Sequence, residues 1–437
     1  MKIGYNILRG YVVGILLMGI SATQSPAQSS TTHDGADNYR TRLIPYPTAE
    51  LAAKHGLAKQ RYMQPLTEWD STADGALRSE FTYPFSWLER QVFARVESVG
   101  QRYELYINGK RAGGSTNGFV ATEFNITKLS QEDKNSVELR LLSSDIVAEI
   151  ECFDKPAQPN PTIYIISQPR VRVRDIAWRA TQGLGGVVNA DFSVVMSNET
   201  LGEKSSRIYY ELYLNDTIRL TAGHLDVKLG MRGIDTMRFG APIPDSILWS
   251  HRKPAELSLR LNNRIEGRDV EFYNMAVAMR ELKYADGCFM LNGEPLDIQW
   301  HDMSPLSTTQ DVATAVGLGH RAIRFGAGYV AEEVLEYCDK EGIYVALTAP
   351  INSSLSGPSR KRGGNPSNNP EWRADYVTRN VNMVHNTKRH PSIVAYYLAD
   401  DSSNGICLYE SYLEMKKITL DRPVFYDDGG NEWNNDK

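Results

Sequence analysis

The chain has 437 residues, 41% of them apolar, with 48 basic and 53 acidic side chains and a formal charge of −5. That length and apolar content suit a soluble globular protein of two to four domains with substantial buried cores. Charges of both signs are interspersed without long blocks, which excludes nucleic acid and an anionic membrane surface as obvious partners.

Residues 1–27, MKIGYNILRGYVVGILLMGISATQSPA, place Lys2 and Arg9 before an apolar run, with Ser25 and Ala27 at small-residue cleavage spacing. This pattern predicts a secretory signal peptide cut after Ala27. The run is shorter than the ~20 residues needed to span a bilayer, so a periplasmic or secreted mature chain without a membrane span is expected. Residues 28–75 read as a polar leader and a Pro-containing approach segment. From residue 76 to 170, FTYPF, RQVFARVESV, RYELYINGKRAGGS, ATEFNITKL and NSVELRLLSS alternate apolar and polar positions between Gly, Asn and Ser breaks. Such spacing predicts an antiparallel β-sandwich, and Asn108-Gly109 a tight hairpin turn with positive φ. After the proline-rich DKPAQPNP, Arg170, Arg172 and Arg174 alternate with valines, which predicts a strand with one solvated, basic face.

Residues 171–284 repeat the short-strand pattern and fit a second sandwich, of immunoglobulin type. In residues 285–437 the rhythm changes to alternating strand and helix. LDIQW, RAIRF, IYVALTAP, SIVAYYLA and PVFYD read as strands, and DVATAVGLG, AEEVLEYCDKEG, ADYVTRNVNMVHNTKR and ICLYESYLEMKKI as helices. Alternation of this kind predicts parallel βα units. The basic, Gly- and Asn-rich SSLSGPSRKRGGNPSNNP has no P-loop Lys-Ser pair and is expected to be a solvated loop. Cys152, Cys288, Cys338 and Cys407 form no CxxC pair and are expected as buried free thiols, though their pairing cannot be read from sequence. His301-Asp302 and the pair His385 and His390 lack a third convergent ligand, so neither metal nor cofactor is expected.

Four stretches, YELYINGKRAGGS, CFMLNGEPLDI, AIRFGAGYVAEEVLEYCDKEGIYV and RHPSIVAYYLADDSSNG, resemble glycoside hydrolase family 2, the β-galactosidase and β-glucuronidase group, from about Arg78 onward. The resemblance implies a multidomain fold: a jelly-roll sugar-binding-type β-sandwich, an immunoglobulin-like β-sandwich and a (β/α) TIM-type barrel. About 155 residues follow Leu282, against the ~250 of an eight-unit barrel, so a partial barrel of five strands is expected.

Family members are retaining glycosidases, which need two carboxyl groups ~5–5.5 Å apart. The family's acid/base Glu follows an Asn at the end of the fourth barrel strand; here Asp400 and Asp401 stand in those places. The resemblance therefore puts Asp401 in the acid/base position and Asp400, Arg324, His301, Asp302 and Trp300 around the sugar. Ala327 replaces a family His, and Thr348 a family Glu. No nucleophile is assignable; Glu432 in GGNEW resembles the motif but directly follows the fifth strand, the wrong place for it. Two readings follow. One is a secreted glycosidase acting on terminal β-glycosides, its second carboxylate coming from Glu432 or a partner subunit. The other is a non-catalytic glycan-binding or scaffold protein on a glycosidase-like frame. Carbohydrate is the ligand class in both, a homo-oligomer is compatible with both, and little or no turnover is expected. A third possibility is the front fragment of an interrupted enzyme.

Overall fold

A computed structural model describes residues 42–436 apart from 55–56, 98, 143–148, 156–160, 183–185, 362, 420 and 430–433. The expected signal peptide and Glu432 lie outside the described residues.

Two antiparallel sheets form the first sandwich. One holds, in spatial order, Met63–Leu66, Ile163–Gln168, Gln91–Val96 and Thr122–Asn125. The other holds Asp70–Ser71, Leu77–Tyr83, Asp133–Leu141, Tyr103–Ile107 and Lys110–Ser115. Alternate residues of both sheets, among them Val92, Ala94, Leu105, Ile107, Val137 and Ile165, meet in one core around Trp87, as the two-residue period of a strand requires. The sandwich begins earlier than residue 76, because Met63–Leu66 pairs along Ile163–Ile166. The Asn108-Gly109 turn has the expected positive φ values of 50° and 73°.

A second pair of sheets follows. Val171–Gln182, Val187–Asn198 and Ile234–Pro244 form one; Ile218–Leu229, Lys204–Leu214, Leu257–Ile265 and Arg268–Val277 form the other. They close on a separate core that includes Phe192, Phe239, Ile208 and Leu259. The expected solvated basic face is corrected at Arg172, which is fully buried and stacks its guanidinium 4.5 Å over the ring of Phe93 in the first sandwich. A planar cation over an aromatic face tolerates burial better than a bare ammonium would.

Leu282–Ala285, Cys288–Leu291 and Glu294–Leu296 then make a small meander, so the first parallel strand is His301–Met303 and not Leu296–Trp300. Five parallel strands run in sequential order: His301–Met303, Ala322–Phe325, Tyr344–Thr348, Ile393–Tyr397 and Val424–Phe425. Helices Thr309–Gly317, Glu332–Glu341, Arg373–Thr387 and Ile406–Lys416 connect them. The first is started by a Thr308/Asp311 capping box. The second stops at Gly342, whose φ of 67° and close approach to the His251 backbone leave no room for a side chain. One sheet face packs Ile323, Val345, Leu347 and Tyr396 on the helices. Its opposite face packs Ala322, Tyr344, Ala346, Ala395, Tyr397 and Phe425 on Leu282, Phe289 and Leu291 of the meander. The outer edge of the fifth strand is covered by residues 434–436: Asp436 N–H donates to the Val424 carbonyl at 3.0 Å, and its carboxylate accepts the Val424 N–H at 2.8 Å. Cys338 and Cys407 are buried free thiols as expected, whereas Cys288 is exposed and Cys152 half-buried.

The buried Arg379 guanidinium joins the first sandwich to the βα region. It donates to Glu151 Oε1 at 2.5 Å, the Pro350 carbonyl at 2.7 Å and the Thr116 carbonyl at 3.1 Å, with Arg379 0% and Glu151 2% exposed. Lys155 Nζ donates to the other Glu151 oxygen at 2.7 Å, so deleting the arginine leaves a buried carboxylate still half-compensated, at a cost of ~1–3 kcal/mol. Arg379→Met is expected to lower the thermal and urea midpoints by an amount of that order, and the Arg379→Met/Glu151→Leu double variant to recover part of the loss. An unchanged midpoint in the single variant would remove the clamp's structural role.

Candidate functional site

Loops that follow the C-terminal ends of the parallel strands converge on Arg324, from the second strand. Its Nη1 donates to Asp427 Oδ2 at 2.5 Å and its Nη2 to Asp400 Oδ1 at 3.2 Å, while Nε lies 4.0 Å from Asp302 Oδ1. The guanidinium also lies 4.0 Å over the Tyr397 ring. Strand pairing accounts for the assembly: Asp302 is in register with Arg324, and Tyr397 with Phe425, two residues before Asp427. Burial opposes the charge of Arg324, but Asp427, Tyr397 and Asp400 together hold its pKa above the ordinary value.

Asp400 is tied down twice, because its Oδ2 also accepts the Ala327 N–H at 2.6 Å. Burial pushes its carboxyl above the usual Asp range, with Asp401 adding to the rise and the Ala327 N–H and Arg324 opposing it. Burial likewise pushes the Tyr397 hydroxyl up to about 12.

The backbone around Asp401 is fixed from the third-strand loop. The Ser353 N–H donates to the Asp401 carbonyl, and the Asp400 N–H to the Ile351 carbonyl, both at 3.0 Å. Asn365 holds that loop through Ser353 Oγ at 2.9 Å and the Ser353 and Gly357 carbonyls at 3.1 and 2.8 Å. This stretch, expected as a freely solvated loop, is thus folded against the Asp401 segment, and Gly405 passes so close to Ser367 that a side chain there would collide with it. The Asp401 side chain itself is exposed.

Of the residues predicted from sequence, Arg324, Asp400 and Asp302 come together, and Asp401 adjoins them. Trp300 packs on the apolar face that carries Tyr397 and Phe425. His301 does not join them: one residue from Asp302 in the same strand, it turns to the opposite face and stacks on His320 with ring centroids 3.9 Å apart. Asp427 was missed by the sequence reading. Its only signal was its place two residues past the fifth strand, where alternation returns a side chain to the same face as Phe425. Thr348 Oγ1 donates to the Phe325 carbonyl at 2.7 Å. Among the described residues no group of three or more His, Cys, Asp or Glu side chains is arranged to hold a metal ion.

Residues 303–436 match the model of the Glycosyl hydrolases family 2, TIM barrel domain. The chain is similar to a beta-galactosidase of Vibrio cholerae serotype O1, 23% identical over 383 residues, and to one of Psychromonas ingrahamii, 25% identical over 382 residues. Each match covers 82% of this chain and 36% of the relative, so the chain spans about a third of the length of these curated relatives. Among solved structures, the beta-glucuronidase 2 of Bacteroides uniformis superposes with a TM-score of 0.67 at 17% identity, over 80% of this chain and 46% of that one. The beta-D-mannosidase of Dictyoglomus thermophilum does so with a TM-score of 0.63 at 16% identity, over 80% and 50%.

Removing the shared cation tests the cluster. Arg324→Met is expected to cost ~1–3 kcal/mol of stability near neutral pH, because Asp400 is left partly buried with only an N–H partner. The carboxyl pKa, already raised, then rises further. A raised carboxyl loses stability as pH climbs through its folded pKa, so the deficit in urea denaturation should be larger at about pH 7.5 than at about pH 5. A deficit independent of pH would refute this account of Asp400.

Proposed function

We propose, from the premise that this chain is a relative of glycoside hydrolase family 2, that it binds carbohydrate at the C-terminal mouth of its parallel strands and hydrolyses glycosides weakly or not at all. The observation that carries this reading is the Arg324 cluster. A retaining site needs two carboxyl groups facing the anomeric carbon ~5–5.5 Å apart, one protonated and one free to attack. Here Asp400 and Asp427 are both hydrogen-bonded to one guanidinium that lies between them, and Asp302 stands near its third nitrogen. Carboxylates committed to an internal cation are suited to holding a rigid polar rim, with the half-buried Trp300 beside it. Against an apolar sugar face, that indole supplies the stacking contact and the rim supplies hydroxyl-binding groups.

The two sandwiches are read as the jelly-roll sugar-binding and immunoglobulin-like parts of the same frame, with 76–170, extended back to the strand Met63–Leu66, 171–284 and 285–437 as their approximate spans and that of the βα region. Secretion or a periplasmic location is proposed from the N-terminal pattern of Lys2, Arg9 and the apolar run.

Hydrolysis of terminal β-glycosides is the second reading, and Asp401 favours it. The residue lies at the end of the fourth strand, where the family places its acid, and its side chain is exposed. Its side chain is one methylene shorter than Glu, and a ~1 Å displacement of a catalytic group costs on the order of a hundredfold in rate.

A panel of aryl β-galactosides, β-glucuronides, β-mannosides and β-glucosides, assayed beside Asp401→Asn, separates the readings. Little or no release of aryl alcohol by either protein is expected, together with saturable binding of at least one glycoside that Trp300→Ala weakens. Turnover abolished by Asp401→Asn would establish the second reading in place of the first.

A further inference from the structure

At the opposite, N-terminal end of the parallel strands lies a groove of ≈ 670 Å³ between the second sandwich and the βα region. Its floor on one side is the outer face of the sheet containing Ala177, Arg179, Ser193 and Arg238. Its other wall is made by Pro391, Asp421 and Arg422, which immediately precede the fourth and fifth strands. Six cationic side chains line it: Arg179, Arg238, Arg280, Lys388, Arg389 and Arg422. Only two acids do, Asp191 and Asp421. In a chain of net charge −5 that is a local reversal of sign.

Some of these cations are already neutralised. Lys388 pairs with Asp175 at 2.6 Å, and Arg389 with Glu332 and Glu336. Others share what is left. Asp421 serves both Arg422, at 3.2 Å, and Arg280, at 3.8 Å. Asp191 lies 3.8 Å from Arg179, and Arg238 is exposed.

Arg280 adds positive charge from behind the wall. Its side chain is 4% exposed; Nη2 donates to the Ile393 carbonyl at 2.7 Å, while buried Nη1 has no hydrogen-bond partner. Burial, and Arg422 next to it, push its pKa down to about 9. An oxyanion in the groove, within reach of the exposed Arg179 and Arg238 guanidinium groups, would meet charge that Asp191 and Asp421 leave uncompensated.

We propose that this groove is a second binding site, for a small molecule bearing a carboxylate or sulfate, and that its volume fits an acidic saccharide. Pockets of a few hundred Å³ and more enclose ligands larger than an inorganic anion. The saccharide part of the proposal rests on the carbohydrate reading above; the requirement for an anion does not.

Calorimetric titration of the whole protein with glucuronic acid, inorganic sulfate and glucose at constant low ionic strength tests it. Saturable binding of glucuronic acid, stronger than that of sulfate and absent for glucose, is expected, weakening as salt is added. Arg238→Ala and Arg179→Ala, both at exposed positions, should each weaken it by about fivefold, with Arg324→Met neutral. Absence of saturable binding by either anion, binding of sulfate alone, or affinity unmoved by Arg238→Ala and Arg179→Ala would each overturn the proposal. Binding lost in Arg324→Met but kept in the groove variants would overturn it too, while placing the acidic sugar at the mouth and so upholding the proposed function.

Discussion

Burying a guanidinium is costly unless an anion and carbonyls take up most of its donors. Arg379 meets that demand by drawing Glu151, Thr116 and Pro350 from three separate stretches onto one planar fork. Its hold extends further through the backbone. Pro350 leads into Ile351 and Ser353, whose carbonyl and N–H bond Asp400 and Asp401 respectively. The position of the two adjacent acids is therefore linked, within a few bonds, to the packing of the first sandwich on the βα region. Thr116 Oγ1, which donates to Asp375 at 2.6 Å, and Arg95, which donates to Asn386 at 2.8 Å, reinforce the same contact from either side.

Much of this architecture was legible from periodicity and punctuation. The helix read from AEEVLEYCDKEG ends at its terminal Gly342, Asn108-Gly109 turned as such a pair does, and five strands alternate with helices in the expected order. Local chemistry determines those features. What escaped depends on register. Whether His301 or Asp302 faces Arg324 is settled by a single-residue shift in pairing, and a three-residue strand carries too few apolar positions to reveal its phase. Arg172 looked solvated because a lone strand cannot show that another domain will cover it. Asp427 escaped for the same reason, since its role exists only once Arg324 lies across the sheet from it.

The two ends of the parallel sheet differ electrostatically. At the C-terminal mouth one arginine serves three carboxylates, and the rim is acid-rich. At the N-terminal end arginines outnumber acids. Between them the concave face is filled by Tyr397, Phe425, Phe289 and Leu291, so the two regions are separated by apolar packing that screens poorly.

Asp436 has a consequence for assembly. By bonding Val424 through both its N–H and its carboxylate, it occupies the outer hydrogen-bonding groups of the fifth strand, which would otherwise invite pairing by any extended segment. Asn435 does the same at Tyr426. Another strand could align there only by displacing residues 434–436, so association at that edge is an exchange whose rate is set by local opening, and collision alone leaves the edge covered.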